Sequence, residues 1–133
     1  MASLRKEIFT SATSEQAWDA LRDVGALHTR LVPGFALDTR LEPGARIVTF
    51  GNGMVVREPI VAIDEEVRRV VWSAVAEGIT HYNGSAQVFA EPGGKTKIVW
   101  TADFLPHDAE KIIGPMMEEG SRAMKAALDR LVE

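Results

Sequence analysis

The chain packs six strand-like runs, separated by turns of a few residues, between Phe35 and Phe104, and closes with one helix-like run from Asp108 to Val132. That order constrains the fold more than any other feature. Consecutive strands with hairpin-length connections make an antiparallel sheet, and a sheet with one apolar face needs a second layer to cover it. The closing helix is the natural cover. It carries Met116, Met117, Gly120 and Met124 on its apolar side, soft and small residues that leave room between layers.

The runs follow from residue pattern. Ser3 to Thr10 forms a first strand, and Thr13-Ser14-Glu15-Gln16 reads as a capping box that starts a helix ending near Arg22. A second short helical piece is expected from Ala26 to Leu31, stopped by Pro33-Gly34. Phe35, Leu37, Thr39 and Leu41 then alternate with polar neighbours, and Glu42-Pro43-Gly44 turns the chain into Ala45 to Phe50. Gly51-Asn52-Gly53 is a hairpin signal leading into Met54 to Ile63, where Pro59 argues for an edge or a bulge. Val67 to Ala76, Ile79 to Ala90 and Lys95 to Phe104 complete the set, the last with Ile98, Trp100, Ala102 and Phe104 inward. Asp108 is placed to cap the final helix. Pro115 either kinks that helix or stands at its first position, and the second arrangement is preferred.

Length fits one domain spanning residues 1–133, and the 46% hydrophobic and 26% charged content is that of a soluble globular chain. A net charge of −4 and the Asp64-Glu65-Glu66 run before Arg68-Arg69 argue against nucleic acid and against stable membrane association. Cysteine is absent, which removes disulfides, thiol nucleophiles and thiolate metal sites and fits a cytoplasmic location. No secretory leader is expected at Met1 to Thr10. His28, His81 and His107 lack metal-ligand spacing, so neither a metal nor another cofactor is expected.

The element order and several short motifs resemble the START and polyketide cyclase/dehydrase superfamily (SRPBCC), whose fold is the helix-grip. The matching pieces are Ala12 through Leu21, Pro43-Gly44-Ala45-Arg46, Tyr82-Asn83-Gly84, Lys97-Ile98-Val99-Trp100 and Phe104-Leu105-Pro106. The resemblance implies an α+β fold, with about seven antiparallel strands curved around the C-terminal helix and two short helices after the first strand. It also implies a cavity between sheet and helix for a small hydrophobic or amphipathic molecule of lipid, polyketide or isoprenoid type. The superfamily equally contains cyclases and protein-interaction relatives of co-chaperone type, and fold does not choose among them.

Strand parity nominates Phe35, Leu37, Trp72, Tyr82, Trp100 and Phe104 for the cavity wall, with Met116, Met117 and Gly120 from the helix. Each also reads as packed core. For acid/base chemistry the candidates are Tyr82, His28 and Glu58. For His28 a surface position is the preferred reading, and Tyr82 reads equally as a rim residue with its hydroxyl in water. Arg57 and Glu58 read as one residue facing inward or, preferably, as members of a salt bridge on the solvent face. A homodimer through an exposed strand or helix is compatible with the chain, without a specific signal.

Overall fold

The computed structural model describes residues 2–133. Seven antiparallel strands are present: β1 (Ala2–Thr10), β2 (Ala36–Glu42), β3 (Ala45–Phe50), β4 (Val55–Asp64), β5 (Arg69–Ser73), β6 (His81–Ala90) and β7 (Thr96–Leu105). Their spatial order is β1-β7-β6-β5-β4-β3-β2, so only the β1–β7 neighbourhood departs from a meander. Two α-helices, α1 (Ser14–Arg22) and α2 (Glu110–Asp129), join the sheet. The α+β helix-grip expected from the sequence is the fold observed.

The capping box at α1 is present in full. Gln16 N–H donates to Thr13 Oγ1 at 3.0 Å, and Thr13 N–H donates to Gln16 Oε1 at 2.9 Å. The buried face of α1 is Ala17, Trp18, Ala20 and Leu21, and the Trp18 indole N–H reaches Glu65 Oε2 at 2.7 Å. The second helical piece is not α-helical. Val24–Ala26 is a 3₁₀ turn and Leu27–Leu31 a π turn, closed by Val32 N–H on the Leu27 carbonyl at 2.9 Å. The wider turn places both Leu27 and Leu31 in the core.

Two further expectations are corrected, and of the edge or bulge expected at Pro59 it is the bulge that is found. The chain enters α2 through a 3₁₀ turn at His107–Ala109, and no side chain caps the helix, so Asp108 is not its N-cap. Pro115 lies inside α2 rather than at its first position. The 3₁₀ turn starts the helix early, and Pro115 then leaves one carbonyl of the first turn without its usual donor. β4 is an interior strand. Pro59 sits between the isolated Arg57–Val75 bridge and the Ile60–Trp72 pair, beside a register shift at Ile60/Ala62, so the ladder is interrupted where proline has no N–H to give.

Two glycines set the spacing of the layers. A Cβ on Gly84 would stand 2.6 Å from Trp72, its cross-strand neighbour, so the indole lies flat on β6 only because glycine is there. A Cβ on Gly120 would stand 2.9 Å from the outer edge of the Trp100 ring and 3.0 Å from Phe35. Gly120 therefore brings α2 down onto two aromatic rings.

The far end of α2 is tied to the first strand by Asp129. Its carboxylate accepts from Thr10 Oγ1 at 2.6 Å, from Ser11 N–H at 3.1 Å and from Lys125 Nζ at 2.9 Å. These donors, led by Thr10, lower its pKa from 3.8 to about 2. The folded pKa lies below the unfolded one, so the contribution is complete above the unfolded pKa and is lost as pH falls through the folded value. Asp129→Asn is expected to cost about 1 kcal/mol at pH 7. In urea titrations the difference from the parent should shrink between pH 3.8 and about 2; a pH-independent difference would contradict the assignment.

Candidate functional site

Among the described residues, the buried charges of the sheet's inner face lie at one place. Parity along β3 turns Phe50, Val48 and Arg46 inward, and along β4 it turns Val56 and Glu58 inward; all five are buried. Arg46 and Glu58 are direct partners in the β3–β4 register, and opposed residues of an antiparallel pair share a face. Arg46 Nε donates to Glu58 Oε1 at 2.8 Å, with side chains only 5% and 8% exposed. Arg46 Nη1 also donates to the Val24 carbonyl at 3.3 Å. Its guanidinium lies 5.4 Å from the centre of the Trp72 ring, within cation–π range. Arg57, one residue away, points outward to Glu42. The solvent-face salt bridge thus exists for Arg57 alone, and Glu58 belongs to the interior.

Two cavities flank this pair. The outer one, about 70 Å³, lies between β3–β6 and α2 and is walled by Phe50, Met54, Val56, Glu58, Ala74, Ala76, Ile79, Tyr82, Ile113, Met116 and Met117. The inner one, about 50 Å³, is walled by Arg46, Glu58, Phe35, Phe50, Trp72, Trp100 and Met124, with aliphatic side chains from α1, the π turn and the sheet. Phe50 and Glu58 belong to both walls. The Phe50 ring is tilted against Phe35, centroids 5.1 Å apart.

Burial dominates the electrostatics. Loss of solvation raises the Glu58 carboxyl pKa, and the nearby Arg46 charge only partly opposes it. The Tyr82 phenol is also raised, first by burial and then by the Glu58 charge. Glu58 therefore holds a proton more readily than an ordinary carboxylate, and Tyr82 stays a neutral hydroxyl. The pair can donate or accept a hydrogen bond at the cavity wall, and Glu58 can pass a proton.

The nominated residues divide. Tyr82, Met116 and Met117 line the outer cavity; Phe35, Trp72 and Trp100 line the inner one. Leu37 does not face the interior. The register slips between Ala36 and Asp38, and Leu37 turns out to solvent, 58% exposed. Phe104 is fully buried but lines neither cavity. Gly120 lines no cavity because Trp100 and Phe35 fill the space beside it. Of the acid/base candidates, Glu58 and Tyr82 come together, whereas His28 sits in the π turn and lines neither cavity.

Arg46 was not among the nominated residues. Its signal was counting in twos back from Phe50 at the Gly51-Asn52-Gly53 hairpin, which puts a charge on the inward face. Among the described residues, no group of three or more His, Asp or Glu could hold a metal ion, and no helix is long and apolar enough to cross a membrane.

A family model described as polyketide cyclase / dehydrase and lipid transport matches residues 1–133, and the chain belongs to that family. Among curated proteins, none matches the sequence significantly. Similar solved structures share the fold. The protein XoxI from Bacillus cereus is 18% identical with a TM-score of 0.87, covering 100% of this chain and 99% of its own. A START superfamily protein from Mycobacterium smegmatis is 12% identical with a TM-score of 0.78, covering 97% and 98%. Norcoclaurine synthase from Thalictrum flavum is 21% identical with a TM-score of 0.74, covering 98% and 86%.

Removing one member of a buried ion pair strands the other, typically at about 3–5 kcal/mol. Arg46→Met is expected to cost that much at pH 7 in chemical denaturation, and most of the cost should vanish in a Glu58→Gln background. Because burial raises the folded pKa of Glu58, its contribution is present below the unfolded pKa and lost as pH rises through the folded one. The Arg46→Met penalty should therefore relax as pH falls. Equal penalties in both backgrounds would show that the pair is not coupled.

Proposed function

From that family membership, we propose that the protein binds a small, mainly apolar molecule between sheet and α2, with one polar group of the ligand meeting Glu58 and Tyr82. The observation that carries this reading is a buried carboxylate, beside the Tyr82 phenol, on the wall of a cavity that is apolar elsewhere. A chain folding only for stability gains little from a charge there, since burial costs the ion its solvation. A ligand hydroxyl or carbonyl gives such a group a purpose.

The outer cavity, at about 70 Å³, is smaller than the roughly 150 Å³ cavity known to take benzene. Binding therefore requires the walls to move. Met54, Met116 and Met117 supply that movement, because an unbranched thioether side chain adapts at small cost. The family match over residues 1–133 supports a single unit holding the ligand.

Proton transfer is the second reading, favoured by the juxtaposition of a carboxyl with raised pKa and a neutral phenol on one wall. In that case the protein is a cyclase-like enzyme, with Glu58 moving the proton and Tyr82 orienting a carbonyl. Glu58→Gln would then keep ligand binding and abolish turnover.

The test is a thermal-shift and native mass spectrometry screen of short isoprenoids, fatty acids, small ketones, phenols and aromatic aldehydes. Norcoclaurine synthase has been solved with dopamine and hydroxybenzaldehyde, which motivates the last two classes. At a hundredfold excess over Kd, a ligand should stabilise by about 2.7 kcal/mol and move the Met116 and Met117 methyl resonances. Ala74→Leu, which fills the outer cavity, should abolish the shift without loss of stability. No shift from any compound, with unmoved methionine signals, would contradict the reading.

A further inference from the structure

Trp100, on the wall of the inner cavity, carries a buried polar atom that the fold leaves unpaired. Trp100 is 8% exposed, and its indole Nε1 has no hydrogen-bond partner among the described residues. A buried indole N–H normally finds an acceptor. Trp18, 6% exposed, does so through Glu65. Trp100 cannot swing to find one, because the far edge of its ring is clamped under α2 at Gly120.

Arg46 is engaged by Glu58 and by the Val24 carbonyl, and among the residues that wall the chamber Trp100 carries the fully buried donor without a partner. The chamber, about 50 Å³, is too small for a whole ligand and large enough for one terminal group. Arg46 and Glu58 on its wall are paired with each other, so an anion finds no free cation there and would lose its solvation without compensation. Phe50 and Glu58 separate it from the outer cavity, so a group entering from the outer side must pass them.

We propose that the inner chamber seats a neutral hydrogen-bond acceptor, the ketone, aldehyde or ester carbonyl at the buried end of the ligand, with Trp100 Nε1 as its donor. The inference rests on the proposed ligand-binding role and sharpens it to a carbonyl-bearing apolar molecule. Trp100 acts here as a specificity residue. It holds the carbonyl and takes no part in bond-making.

The test compares three compounds of one shape: 4-phenyl-2-butanone, its alkene isostere 2-methyl-4-phenyl-1-butene, and 3-phenylpropanoate. With three tryptophans in the chain, ¹⁵N labelling gives three indole signals to follow during titration. The ketone is expected to bind roughly tenfold tighter than the alkene, as one hydrogen bond to a buried donor allows. It should also move the Trp100 indole proton downfield, which the alkene should not. Trp100→Phe should erase the preference; should that variant fold poorly, the wild-type spectra decide alone. Equal affinity for ketone and alkene, an unmoved Trp100 indole signal, or tighter binding of the carboxylate would overturn the inference and leave the ligand-binding role standing. If no compound of this series or of the wider screen binds, both fall.

Discussion

A charge pair held in an apolar interior depends on register, and here register comes from the β3–β4 hairpin. The Gly51-Asn52-Gly53 turn sets Arg46 opposite Glu58, and a slip of one residue would send both charges to solvent and their outward neighbours into the core. Much of the interior is arranged around this pair. Trp72 lies under the guanidinium, Tyr82 and Glu58 share the outer cavity wall, and Phe50 with Glu58 parts one cavity from the other. Such a pair adds little net stability, because desolvation offsets its attraction. Its value lies in placing a proton-holding group on a wall that is mostly apolar.

The layer above the sheet follows from close approach. Gly84 lets Trp72 lie flat, and Gly120 lets α2 settle on Trp100 and Phe35. The same contacts that bring the helix down immobilise Trp100, and that immobility leaves its N–H unsatisfied. Farther along α2, Asp129 fastens the helix to the end of β1, while the methionines near Pro115 face the outer cavity. The helix is thus anchored at its C-terminal end and by Gly120, and lined with adaptable side chains nearer its start.

Much of the fold was legible in the sequence because its signals are local. The Thr13–Gln16 box, the hairpin glycines and the clean alternation from Ile98 to Phe104 each report on a few residues and need no knowledge of the rest. What the sequence hid depends on distant partners. Leu37 alternates correctly in sequence, yet the slip between Ala36 and Asp38 that turns it outward is a property of its pairing with β3. Gly120 looked like empty space until Trp100 and Phe35 came from elsewhere in the chain to fill it. Glu58 was obscured by Pro59, which blurs parity along β4, and Arg46 by the general tendency of arginine to sit outside. Counting from the hairpin in both directions resolves the two together.

Glu58 is a buried, desolvated carboxyl on the wall of both cavities. A ¹³C NMR titration of its side-chain carboxyl, assigned with Glu58→Gln, measures this directly. A desolvated carboxyl requires a midpoint above the ordinary value of 4.5 in the free protein. A midpoint at or below 4.5 would mean that the carboxylate is solvated or fully satisfied by Arg46, and would contradict the account.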